Sequence, residues 1–163
     1  LMIWQYGNYE FDCNLKPPTM DKFNIWKDKF FKLKNVNKYD VWLASGFRED
    51  WETKDIDIVL NNSFNFKELH DIMLSAIKIG IDNNIFVDIC HWNIKPLDYS
   101  NDKKEIEVLK TVVGNRIVQD GKVITDWTNS IEIHPNLYQF KKTYPTKKQM
   151  KRIYKSKPIL LKA

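Results

Sequence analysis

Two carboxylates one residue apart inside an apolar run, Lys54-Asp55-Ile56-Asp57-Ile58-Val59-Leu60, constrain this chain more than any other stretch. The β-branched residues favour a strand, and successive side chains of a strand alternate between its two faces. Asp55 and Asp57 therefore share one face, while Ile56, Ile58 and Leu60 share the other. The isoleucines belong in a core and the acids on a surface or cleft, because burying a bare carboxylate is costly. Two carboxylates so close raise each other's pKa unless a cation stands between them. Mg²⁺ is a hard cation of that kind, commonly held by one or two carboxylates together with substrate phosphates.

A third acid, Asp88, stands alone in the apolar run Ile85-Phe86-Val87-Asp88-Ile89-Cys90. If the strands over 55–60 and 85–90 are neighbours, three carboxylates converge on one face. Three acids around one or two divalent ions suit in-line phosphoryl or nucleotidyl transfer. Each element also has a plainer explanation. A D-x-D pair often marks an exposed strand edge, and a lone Asp in an apolar strand is often an end cap or ion-pair partner.

The surrounding order predicts an α/β (α+β) domain with a mixed sheet flanked by helices. Thr19 caps a helix carrying Phe23, Trp26, Phe30 and Leu33 at helical spacing, with Asp21 in its first turn. A strand over 39–44 ends at the break Ser45-Gly46, and a polar connector leads to Asp55. A second amphipathic helix covers about 66–82, and a strand over 85–90 follows. Ile106 to Val113 is a further short apolar run. Arg116-Ile-Val-Gln, Asp120-Gly121 and Lys122-Val-Ile-Thr form a hairpin signal, since Asp-Gly suits a two-residue type I′ turn. Residues 131–133 add another strand, and Pro145-Thr146 starts a final basic helix.

At 163 residues, 43% hydrophobic and with six Trp, the chain has room for one domain with a real core. No window reaches the roughly 18 apolar residues of a membrane span, and no basic-then-apolar leader opens the sequence. The two cysteines, Cys13 and Cys90, form no Cys-x-x-Cys and have no histidine at zinc spacing. That pattern points to a reduced, cytoplasmic setting without a disulfide or zinc framework. The net charge of +5 is uneven: residues 141–163 hold nine Lys/Arg and no acid, and the rest hold 17 basic and 21 acidic groups. We expect residues 1–140 to form the catalytic domain and 141–163 a basic segment packed on it.

Ser45-Gly46, then Asp55-Ile56-Asp57, then Asp88 resembles the signature of the nucleotidyltransferase superfamily that includes DNA polymerase beta, poly(A) polymerases and CCA-adding enzymes. Its pattern is a strand ending in Gly-Gly or Gly-Ser, an Asp-hydrophobic-Asp/Glu, and a third acid on a later strand. The resemblance covers residues 39–92. It implies a two-metal site for Mg²⁺ (or Mn²⁺) on Asp55, Asp57 and Asp88, with Asp88 as the acid beside the acceptor hydroxyl. Residues 44–49, Ala-Ser-Gly-Phe-Arg-Glu, further resemble the Gly-Gly-x-Val-Arg-Asp of bacterial CCA-adding and poly(A) enzymes. Ser45, Gly46, Arg48 and Lys54 are then candidate contacts to the triphosphate of an NTP. Read alone, either Arg48 or Lys54 is more simply a solvated connector residue.

The basic segment offers Lys147, Lys148, Lys151, Arg152 and Lys155, with Tyr144 and Tyr154 interleaved, as contacts for an RNA backbone. A solvated helix face explains the same charges. Ile159-Leu160-Leu161 is expected to dock on something apolar. Trp92, just after the third acid, either stacks on a base or fills the core. His70 and His134 have no nucleophile beside them in sequence and read as structural. The function expected is transfer of a nucleoside monophosphate to an acceptor hydroxyl, favouring a tRNA-like 3′ end. The alternatives are a protein or small-molecule acceptor, or a non-catalytic module of a toxin–antitoxin pair.

Overall fold

Thr19 accepts a hydrogen bond from the Lys22 amide at 3.2 Å and so starts helix α1 (Met20–Phe30), whose Phe23, Trp26 and Phe30 are buried. The structure is a computed structural model and describes residues 2–6, 9–12, 18–45, 55–62, 65–98, 105–111, 116–126, 132–133 and 139–162. Within these residues lie three α-helices and two sheets, one of them mixed, which makes the architecture α+β.

The larger sheet contains β3 (Asp40–Ser45), β4 (Ile56–Asn61), β5 (Val87–Trp92), β6 (Val108–Thr111), β9 (Glu132–Ile133), β10 (Gln139–Thr143) and β11 (Ile159–Leu161). Its order is β11-β3-β4-β5-β6-β10-β9, with β4 and β5 parallel and every other pairing antiparallel. A parallel pair needs a crossover, and α2 (Phe66–Asp82) supplies it. The smaller sheet, β2-β1-β7-β8, joins β1 (Met2–Tyr6) and β2 (Tyr9–Asp12) to the hairpin of β7 (Arg116–Gln119) and β8 (Lys122–Asp126). At that hairpin's turn both Asp120 (φ 50°) and Gly121 (φ 80°) are left-handed, as a type I′ turn requires.

Helices α1 and α2 cover one face of the larger sheet. The Trp26 indole donates to the Ala76 carbonyl at 2.9 Å, so this buried polar group is satisfied where the two helices meet. Leu69, Ile72, Met73 and Ala76 then pack with Ile56, Ile58, Leu60 and Ile89 into the main core. Burying each such aliphatic side chain stabilises the fold by about 1.5–3 kcal/mol. Near its C-terminal end α2 presses closely on the chain entering β5. A Cβ added at Gly80 would lie 2.8 Å from both the Ile85 carbonyl oxygen and Val87 Cγ2.

The opposite face carries a second, smaller cluster of Trp42, Ala44, Val59, Cys90, Trp92, Ile106 and Val108. Helix α3 (Lys147–Lys155) lays Met150 and Ile153 against it. Thr146 caps this helix in a reciprocal box with Gln149, at 3.2 and 2.9 Å. Because β10 and β11 lie on opposite sides of the β3–β6 strands, the chain between them spans that face of the sheet.

Several details differ from the sequence expectations. The first helix ends at Phe30, leaving Leu33 in a turn, still packed on the core. The strand expected over 85–90 runs from Val87 to Trp92, so His91 and Trp92 belong to it. Strands β1, β2, β10 and β11 had no expected counterpart, and β10 runs through residue 140. The segment 159–161 docks mainly by backbone pairing with β3: Leu161 packs on the core, whereas Ile159 and Leu160 are exposed. His134 and Cys13 lie outside the described residues.

Candidate metal centre

Alternation along β4 sends Ile56, Ile58 and Leu60 into the helix-covered core and leaves Asp57 on the face beneath α3. The same alternation along β5 buries Val87 and Ile89 and leaves Asp88, Cys90 and Trp92 facing α3. The parallel register pairs Asp57 directly with Asp88. Asp55 immediately precedes β4. One carboxylate oxygen from each of Asp55, Asp57 and Asp88 lies within 4.8 Å of the others, close enough for the three to hold a metal ion. The convergence expected of neighbouring strands is therefore present.

The electrostatics are those of a crowded acidic site. Burial, then Asp55, then Asp88 push the Asp57 carboxyl well above the usual carboxylate range, while Lys110 and Arg152 pull against that shift. Asp88 is tied through Oδ2 to the Lys110 ammonium at 3.3 Å. Its other oxygen, Oδ1, is buried and accepts no hydrogen bond from a described group. A buried carboxylate oxygen lacking a donor is a costly feature that a bound cation relieves. The donor set also suits such an ion: all three nearby ligands are hard carboxylate oxygens. Burial pushes the adjacent Cys90 thiol up to about 12, and its Sγ donates to the Ile58 carbonyl at 3.8 Å.

Asp57 and Asp88 open into a cleft of about 300 Å³ between the sheet and α3. Ala44, Val59, Cys90, Trp92 and Val108 form its apolar part, with Ile153 from α3. Lys110 and Arg152 bring positive charge to it, and Thr143, Tyr144 and Gln149 bring hydrogen-bonding groups. The Ser156 hydroxyl donates to the Ala44 carbonyl at 2.6 Å and fastens the end of α3 to β3.

The remaining sequence candidates fall in different places. Ser45 ends β3, and its backbone is the antiparallel partner of Asp57 across a bulge after Leu43. Gly46, Arg48 and Lys54 lie outside the described residues. Lys147, Lys148, Lys151 and Lys155 are exposed on α3. Arg152 is on the same helix but lines the cleft, so it belongs with the acids. Trp92 is buried at 3% exposure, within the cluster that floors the cleft. His91 points to the opposite face, where its Nε2 is 3.0 Å from the Asn62 carbonyl oxygen. His70 sits on α2 against the Phe140 ring.

Lys110, Tyr144 and Gln149 were not among the cleft residues anticipated from sequence. Lys110 carried a usable signal: it is a lone charge in the apolar run Val108-Leu109-Lys110-Thr111, the same pattern that singled out Asp88. No described helix is long and apolar enough to cross a membrane. A scan of family models and searches of curated proteins and solved structures match nothing to this chain.

Proposed function

We propose that the protein is a nucleotidyltransferase dependent on Mg²⁺ or Mn²⁺, moving a nucleoside monophosphate from an NTP to an acceptor hydroxyl. The observation that supports this reading most is the meeting of Asp55, Asp57 and Asp88 within 4.8 Å of one another, with Asp57 and Asp88 lining a cleft. These carboxylates would hold the metal, which would neutralise the nucleotide's phosphates and lower the barrier to displacement at the α-phosphorus. In the reaction the acceptor oxygen bonds to the α-phosphorus, the bond to the β-phosphate bridge breaks, and pyrophosphate leaves. Asp88 is the acid on the acceptor side, where the hydroxyl proton departs. Arg152 and Lys110 provide the positive charge that a triphosphate needs, and the apolar cleft wall around Trp92 suits a nucleobase.

The acceptor favoured is an RNA 3′ end, because Lys147, Lys148, Lys151 and Lys155 are exposed on the helix that walls the cleft. The test is incubation with each labelled NTP, Mg²⁺ and bulk tRNA, beside an Asp55→Ala/Asp57→Ala control and a parallel reaction offering protein. Label on RNA with the native chain alone supports the full reading. Label on protein moves the acceptor, and no transfer with no metal-dependent NTP binding overturns it.

A further inference from the structure

Lys110 carries a role that the acidic triad alone does not explain. It reaches Asp88 from β6, the neighbour of β5 on the side away from β4. The side chains of Lys110 and Asp88 are only 26% and 21% exposed, so their ion pair is partly shielded from solvent. The lysine occupies Oδ2 of Asp88 and leaves Oδ1 buried without a hydrogen-bond donor among the described residues. Asp88 can therefore ligate a cation through one oxygen while the other stays bonded to the ammonium. Lys110 also acts on Asp57 and on the Cys90 thiol, so its charge is felt across the whole site.

We infer that Lys110 is a fixed cation standing where a second metal ion would otherwise sit, so that the nucleotide-free protein binds one divalent ion. This inference rests on the reading of Asp55, Asp57 and Asp88 as metal ligands. Three carboxylates carry three negative charges, and Lys110, Arg152 and one divalent ion together already offset them. A second divalent ion would leave the cleft with excess positive charge until nucleotide phosphates arrive. Lys110 acts through Asp88 and is thus a positioning residue. Its removal frees Oδ2 of Asp88 and takes one positive charge from the cleft, which invites another ion.

Mn²⁺ binding, counted by electron paramagnetic resonance without nucleotide, tests this on three chains. The native chain is expected to bind one Mn²⁺, Lys110→Met two, with the first ion about tenfold tighter, and Lys110→Arg one again. Circular dichroism confirms that each variant is folded, and the Lys110→Arg chain separates loss of charge from loss of packing. Two ions on the native chain, or one ion on Lys110→Met at native affinity, would overturn the role of Lys110 and leave the triad as a metal site. No Mn²⁺ on the native chain or on Lys110→Met would overturn the metal-site reading and this inference with it.

Discussion

Asp57 and Asp88 are direct register partners on adjacent parallel strands, so two carboxylates stand side by side on one face of the sheet. Such a pair is unfavourable without a cation. Burial and the neighbouring acids raise the Asp57 pKa above its ordinary 3.8, so the folded state disfavours its ionised form. That cost is present at neutral pH and is relieved as pH falls through the raised pKa. Asp57→Asn therefore should melt higher than the native chain at pH 7 without metal, by ~2–4 °C for each kcal/mol relieved. Added Mg²⁺ should raise the native melting temperature and leave the variant's unchanged. Scanning fluorimetry checks both, and a destabilised Asp57→Asn would contradict the strain described.

Histidines give the opposite pH sign. Burial pushes the imidazoles of His91 and His70 below their ordinary 6.5; the Asn62 carbonyl opposes this for His91, and Asp71 for His70. The unfolded chain takes up protons near pH 6.5 while the folded chain keeps these rings neutral. Their contribution is complete above pH 6.5 and is lost as pH falls toward the depressed values. Urea midpoints of the native chain and His91→Gln, measured from pH 7.5 to 5.5, should diverge in this sense: the native chain loses more. Taking the difference between the two chains cancels the contribution of Asp57, which runs the other way.

Gly80 tests the packing that sets β5 in place. Ala is favoured over Gly inside a helix by about 1 kcal/mol. Here an added methyl would sit 2.8 Å from the backbone oxygen of Ile85 and from Val87 Cγ2, and overpacking costs typically 1–3 kcal/mol. The clash involves backbone next to the strand that carries Asp88. Gly80→Ala should be net destabilising by about 1 kcal/mol in chemical denaturation, and a stabilised variant would show that α2 has room to withdraw.

Helix α3 turns one edge to the cleft and another to solvent, and two charge removals on it should behave differently. Arg152 and Lys155 are both exposed, but Arg152 lines the cleft and Lys155 does not. Arg152→Ala should weaken Mg²⁺–NTP binding about tenfold in equilibrium titration, within the usual worth of a hydrogen bond to a charged group. Lys155→Ala should leave nucleotide binding near native and lower affinity for RNA in a salt-dependent manner. Equal effects of the two on nucleotide binding would contradict the cleft-facing placement of Arg152.

Much of the local order was legible because it rests on short-range physics. Alternation in 54–60, the Thr19 and Thr146 caps, and the Asp120-Gly121 turn each depend on a few adjacent residues. The convergence of Asp88 on Asp55 and Asp57 needed one further step, the parallel pairing that a strand–helix–strand unit favours. Strands β10 and β11 escaped because their identity comes from partners far away in the chain. Gln139-Phe-Lys-Lys-Thr reads as a solvated stretch until β6 pairs with it, and Ile159–Leu161 until β3 does. Strands β1 and β2 offered one clue, the Gly7-Asn8 pair between Tyr6 and Tyr9, a two-residue turn signal. Arg152 was legible as a charge but not as a cleft residue, since only the path of α3 between β10 and β11 brings it to the acids.

Displacement at the α-phosphorus by a site built on Asp55, Asp57 and Asp88 has a distinct labelling signature. The most direct measurement compares NTP labelled at the α-phosphate with NTP labelled at the γ-phosphate, in Mg²⁺, with the acceptor population recovered afterwards. Nucleotidyl transfer predicts α-label on the acceptor, γ-label released in pyrophosphate, and neither event with Asp57→Asn. Transfer of γ-label to the acceptor, or α-label transfer that persists in Asp57→Asn, would contradict it.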